Sequence, residues 1–226
     1  MPPLASSEPT PSSFWQFLLS LLLANPIQLL TFVQTLVRYI HSLSEREGMY
    51  EVLEHDIRLE LQDALGRTAV YSKRQKVRFL QNNVIAFQDQ AYGDGDIFAE
   101  YRCSPGTPVD RYREGHRYRI LISLRQSKQR GDVEEFHIER TIKNGFTKAR
   151  EDLQTEIDHK TKAITMTLIF PKARLAKRVV LVEQKTAHTT ALEHESFQML
   201  PDGRQQVKWH MSYPKQYEAY LLMWDW

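Results

Sequence analysis

The chain has 226 residues, 42% hydrophobic and 26% charged, a balance that excludes an intrinsically disordered protein. Its net charge of +2 supplies no global field for nucleic acid, so any basic surface must be local. Cys103 is the single cysteine, which excludes an intrachain disulfide, leaves no disulfide partner to expect and fits a reducing compartment.

The N-terminal fifth differs from the rest. Residues 1–13 are rich in Pro and Ser and read as a flexible tail. Between Glu8 and Arg38 there is no charged residue, and residues 14–44 read as a hydrophobic helical element, either one kinked helix or two short helices. Phe14, Trp15, Phe17, Leu18, Leu22, Leu29, Phe32 and Leu36 are its candidate membrane or assembly contacts. A signal peptide is disfavoured, because the start carries Glu8 and no Lys or Arg. A single span needs about 20 apolar residues, and the stretch is long enough. It is interrupted, however, by Gln16, Asn25, Gln28 and Gln34, with Pro26 near its middle. Two short helices over residues 13–24 and 26–44 would use Ser12 or Ser13 as one cap and Asn25 as the other. Such a pair could lie in a bilayer, pack between subunits or rest on the protein's own β domain. If it spans, Arg38 and Arg46 put the β domain on the cytoplasmic side. Residues 45–49 are a polar linker.

Residues 50–226 read as one antiparallel β domain, a sandwich or barrel. Leu53, His55, Ile57, Leu59 and Leu61 share one face of a strand. Asp63-Ala64-Leu65-Gly66 turns the chain into a return strand over residues 67–80. Residues 81–106, with Gly93-Asp94-Gly95-Asp96 and Ser104-Pro105-Gly106, are the longest candidate for irregular structure. Tyr118, Ile120, Ile122 and Leu124 alternate, as do Phe136, Ile138 and Ile142, and Asn144-Gly145 closes that run. Residues 152–158 and 162–170 read as a hairpin. Residues 178–185 are Val-rich, Pro201-Asp202-Gly203-Arg204 is a turn, and residues 217–226 are apolar on both faces, the mark of a covered strand. Turns at such spacing with no long helix point to an all-β domain.

The candidate ligand residues are Arg and Lys interleaved with Tyr. One cluster holds Lys73 and Arg74, which alternation puts on opposite faces. The other holds Arg111, Tyr112, Arg113, Arg117, Tyr118 and Arg119, where Gly115 can reset the parity. Guanidinium forks grip phosphate and tyrosines offer a stacking face. The ordinary alternative is a solvated strand face whose charges pair with Asp110, Glu114, Glu134 and Glu135. Asp89, Asp94, Asp96 and Glu100 do not match the spacing of a calcium loop, and the histidines show no zinc pattern. Cys103 with His116 is a weak nucleophile–base pairing. No nucleophile elbow, phosphate loop or dinucleotide fingerprint occurs.

These features predict a non-enzymatic, cofactor-free, membrane-associated sensor or effector module that recognises a phosphate-bearing ligand or partner: a nucleotide, nucleic acid or anionic lipid. The layout of an apolar element ahead of a β domain resembles that of membrane-anchored β-rich effectors in bacterial nucleotide-signalling defence. The alternatives are a self-assembling homo-oligomer built through residues 14–44, and a nucleic-acid-binding β domain. The expected location is the membrane with the β domain facing the cytoplasm, or the cytoplasm itself.

Overall fold

Period-two alternation dominates the described structure, a computed structural model covering residues 48–226. The expected tail, the helical element over 14–44 and residues 45–47 of the linker lie outside the described residues. Among the described residues fourteen strands succeed one another: β1 (Tyr50–Leu61), β2 (Thr68–Phe79), β3 (Val84–Ala91), β4 (Asp96–Ser104), β5 (Thr107–Glu114), β6 (Arg117–Lys128), β7 (Val133–Lys143), β8 (Arg150–Glu156), β9 (Ala163–Phe170), β10 (Arg178–Glu183), β11 (His188–Ala191), β12 (Phe197–Met199), β13 (Gln205–Ser212) and β14 (Ala219–Asp225). The expectation of a mainly β unit is met. The strands form a seven-stranded sheet ordered β12-β13-β9-β1-β2-β7-β4, a four-stranded sheet β11-β10-β14-β8 and a three-stranded sheet β3-β6-β5.

The inward faces of all three sheets share one core. Phe136 of β7 stacks on Phe87 of β3 at 3.8 Å, joining the seven- and three-stranded sheets. Phe170 of β9 meets Trp224 of β14 edge-on at 5.6 Å, joining the seven- and four-stranded sheets. Each ring presents its positive edge or offset face to the next, the arrangement that adds specificity to burial. β14 runs between β10 and β8, with Tyr220, Leu222 and Trp224 buried. The doubly apolar C-terminal segment is therefore an interior strand, as its composition predicts.

Local chemistry explains the turns. The Asp63 carboxylate accepts the backbone N–H groups of Leu65, Arg67 and Thr68 and so ties the β1–β2 connection. Gly66 sits there at φ +66°, and a Cβ would stand 1.6 Å from the Phe146 carbonyl oxygen, so no other residue fits.

Four expectations need correction. First, residues 81–106 hold β3 and β4. A register shift between Val84 and Ala86 breaks the period, and inward-facing Asp89 occupies a place where an apolar residue would signal a strand. Second, β8 and β9 are not a hairpin. β8 pairs with β14, whereas β9 pairs with β1 and β13. The connection bonds outward instead: Val52 N–H donates to the Lys160 carbonyl and Ile157 N–H to that of Glu218. Third, the β1–β9 ladder is parallel, so the unit is not wholly antiparallel. Fourth, a bulge between Val52 and Glu54 brings Val52 inward in place of Leu53.

Candidate functional site

The inner face of the seven-stranded sheet carries charge. β2 turns Lys73 inward between Tyr71 and Gln75, and β7 turns Arg140 inward between Ile138 and Ile142. Strand alternation alone dictates both orientations, because each residue shares parity with apolar neighbours of the core. Asp89 of β3 descends on them from the opposing sheet.

Lys73 and Asp89 are 5% and 2% exposed and form an ion pair. The Tyr101 hydroxyl donates to the second Asp89 oxygen at 3.0 Å. Burial, with the Asp89 charge beside it, pushes the Tyr101 phenol well above its ordinary range, so it remains a donor. His55 lines the same region, and its Nε2 has no partner among the described residues. Burial first, then the Lys73 charge, lowers its pKa to about 3, so the imidazole is neutral. A cavity of about 40 Å³ lies beside it, lined also by Gln75, Gln90 and Thr161. Water needs roughly 10–15 Å³ and polar neighbours, so this cavity suits a small number of water molecules and no larger ligand.

Arg140 is different. It is 4% exposed, and its Nε and Nη1 are buried with no hydrogen-bond partner among the described residues. Its guanidinium lies 4.0 Å over the Tyr71 ring, a cation–π contact that fixes its plane but accepts none of its N–H groups. Arginine does not shed its charge in a protein. Leaving a buried charge unpaired costs about 3–5 kcal/mol. Arg140 also lines a groove of about 290 Å³. Tyr71 and Ile142 flank it from the seven-stranded sheet, Tyr92, Asp94 and His116 from the three-stranded sheet and its turns, and Lys148, Glu151 and Asp152 from β8 and the loop before it.

Most other charges around that groove are matched. Lys148 pairs with Asp94 at 2.5 Å and Arg150 with Asp225 at 2.8 Å, and His116 Nε2 lies 3.3 Å from a Glu156 oxygen. Glu151 accepts the Lys148 N–H at 2.5 Å, and burial raises its carboxyl above the usual range.

The sequence-derived candidates are dispersed. Arg113 faces Tyr118 across the β5–β6 hairpin, and Glu114 faces Arg117. The two-residue turn at Gly115, φ +61°, thus resets the parity, so Arg111 and Arg113 fall on one face and Arg117 and Arg119 on the other. Arg111 covers the Phe98 ring at 4.4 Å, and Arg113 covers Tyr118 at 5.9 Å. Arg117 pairs with Glu114 and with Glu156 at 2.8 Å, while Arg119 pairs with Glu114 and with Asp158 at 3.0 Å. Tyr112 is exposed and its hydroxyl accepts from Gln88. Arg74, on the face opposite Lys73, is held by Glu54, Asp56 and Glu135. Cys103 lies against the Gly106 carbonyl, with its thiol pushed up by burial and then by Asp89. The residues expected at 14–44 as membrane or assembly contacts lie outside the described residues.

Arg140 was not among those candidates. Its signal was nonetheless present: the inward places of β7 are Phe136, Ile138, Arg140 and Ile142, and one of these four is an arginine. The same test applied to β2 isolates Lys73.

No protein-family model and no curated protein matches the chain. Among solved structures, the chain is similar to the crystal structure of a putative protease from Parabacteroides distasonis, with 11% sequence identity and a TM-score of 0.48. The match covers 79% of this chain and 40% of that one, so the chain spans less than half the length of that protein.

Proposed function

We propose that the β unit is a sandwich-like, non-enzymatic binding module whose ligand presents an anionic group to Arg140. One observation carries the reading. Arg140 is a buried guanidinium without a partner among the described residues, on the wall of a groove of about 290 Å³. Ligand pockets are concave, largely pre-formed and supplied with few polar groups, and Arg is the side chain best suited to grip carboxylate or phosphate. The ligand removes the cost of the unpaired charge, so binding and stability are coupled.

Titration calorimetry of the full chain with acetate and with inorganic phosphate tests this. Wild type binds at least one of them, with an affinity that falls as salt rises, and Arg140→Met weakens binding tenfold or more. Equal binding by both proteins removes the proposal.

Membrane attachment through residues 14–44 belongs to the same proposal and is supported by the uncharged run between Glu8 and Arg38. Cell fractionation with and without residues 1–47 decides it. Recovery of both forms in the soluble fraction excludes attachment.

A further inference from the structure

The wall facing Arg140 carries more negative charge than positive. Glu151 and Asp152 line it from β8, and neither forms an ion pair with Arg140 or with any other described residue. Lys148, the cation beside them, is taken by Asp94. Arg150 is taken by Asp225, directly opposite it on the neighbouring strand β14. Glu151 is only 8% exposed, and its one described partner is the backbone N–H of Lys148. Arg140 and Glu151 thus face one groove from different sheets, both buried: Arg140 has no ion pair among the described residues, and Glu151 shares the single cation Lys148 with Asp94 and Asp152.

Such a groove discriminates by charge pattern. A simple anion drawn to Arg140 meets the field of two carboxylates. A simple amine drawn to Glu151 meets the field of Arg140. A molecule with both charges relieves both walls, since each ionic group gains a charge-assisted hydrogen bond in a site of reduced dielectric. We infer that the ligand of this groove is a small zwitterion of the amino-acid class, with its carboxylate on Arg140 and its ammonium on Glu151. The inference rests on the reading of Arg140 as an anion seat and adds the identity of the opposite wall. The groove's size suits only a small ligand, since about 290 Å³ lies just below the range of about 300–1,000 Å³ for ligand pockets.

The test is calorimetry on the full chain with the twenty free amino acids singly, with propionate and with propylamine. At least one amino acid binds tenfold or more tightly than propionate or propylamine. Glu151→Gln keeps an acceptor for the Lys148 N–H; it abolishes that tenfold advantage and leaves propionate binding no weaker than in wild type. Arg140→Met abolishes binding of amino acids and propionate alike, and Arg140→Gln replaces it if the methionine variant fails to fold. Propionate binding as tightly as every amino acid, or an amino-acid affinity unchanged by Glu151→Gln, overturns the zwitterion and leaves the anion seat standing. Binding that ignores Arg140, or no binding by any probe, overturns both.

Discussion

Lys73 and Arg140 sit on adjacent strands of one sheet, point to the same side and are equally buried, yet they live in opposite circumstances. Lys73 has Asp89, which is itself completed by the Tyr101 hydroxyl. Arg140 has aromatic contact and no acceptor for Nε or Nη1 among the described residues. A buried charge that is paired acts as part of the scaffold. One that is not paired keeps a recognition capacity that folding did not consume, at a cost to stability. The difference separates structural charge from candidate functional charge on neighbouring strands, and burial alone does not reveal it.

Breaking the paired side gives the largest expected effect. Asp89→Asn leaves Lys73 buried without a counter-ion and removes the acceptor charge of Tyr101. Urea denaturation should show a loss of about 3–5 kcal/mol. A loss below about 1 kcal/mol would show that Lys73 finds water or another partner, and the contrast with Arg140 would collapse.

Substitution on the unpaired side has the opposite sign. Arg140→Met keeps an unbranched chain over Tyr71 and deletes the charge. Without added ligand it should be more stable than wild type by about 1–4 kcal/mol, the range found when buried ionic groups give way to apolar ones. Destabilisation of similar size would mean that Arg140 serves the fold.

The third effect is graded by pH. Burial and then the Lys73 charge hold His55 neutral with a pKa of about 3, against an unfolded value near 6.5. A depressed histidine contributes stability that is complete above the unfolded pKa and is lost as pH falls towards the folded one. Between about pH 6 and 4.5 wild type should therefore lose stability by up to ~1.4 kcal/mol per pH unit through this group. His55→Gln should show a slope shallower by that amount. Parallel slopes in the two proteins would show that His55 takes up its proton as readily in the fold as in the unfolded chain.

Much of the strand map was legible because alternation is local. Ile120, Ile122 and Leu124 of β6, or Phe136 and Ile138 of β7, face inward for no reason but period two and the preference of apolar side chains for the core. Turn chemistry at Asp63, Asn144 and Gly203 was equally local, being set by side-chain acceptors and positive φ. β3 escaped because a bulge and an inward aspartate erase the same signal.

By itself, then, the sequence determined a β unit after an apolar N-terminal stretch, the positions of most strands and which side chains of each face inward. Only the tertiary structure decided which strands are neighbours. The parallel β1–β9 ladder and the division of β8 from β9 depend on hydrogen bonds between residues far apart in the chain, and periodicity carries no information about partners. The candidate site was decided at the same level. Alternation turns Lys73, Asp89, Arg140 and Glu151 inward, but whether an inward charge meets its opposite is settled by the stacking of three sheets. Coulomb attraction acts over ångströms in space and is indifferent to separation along the chain.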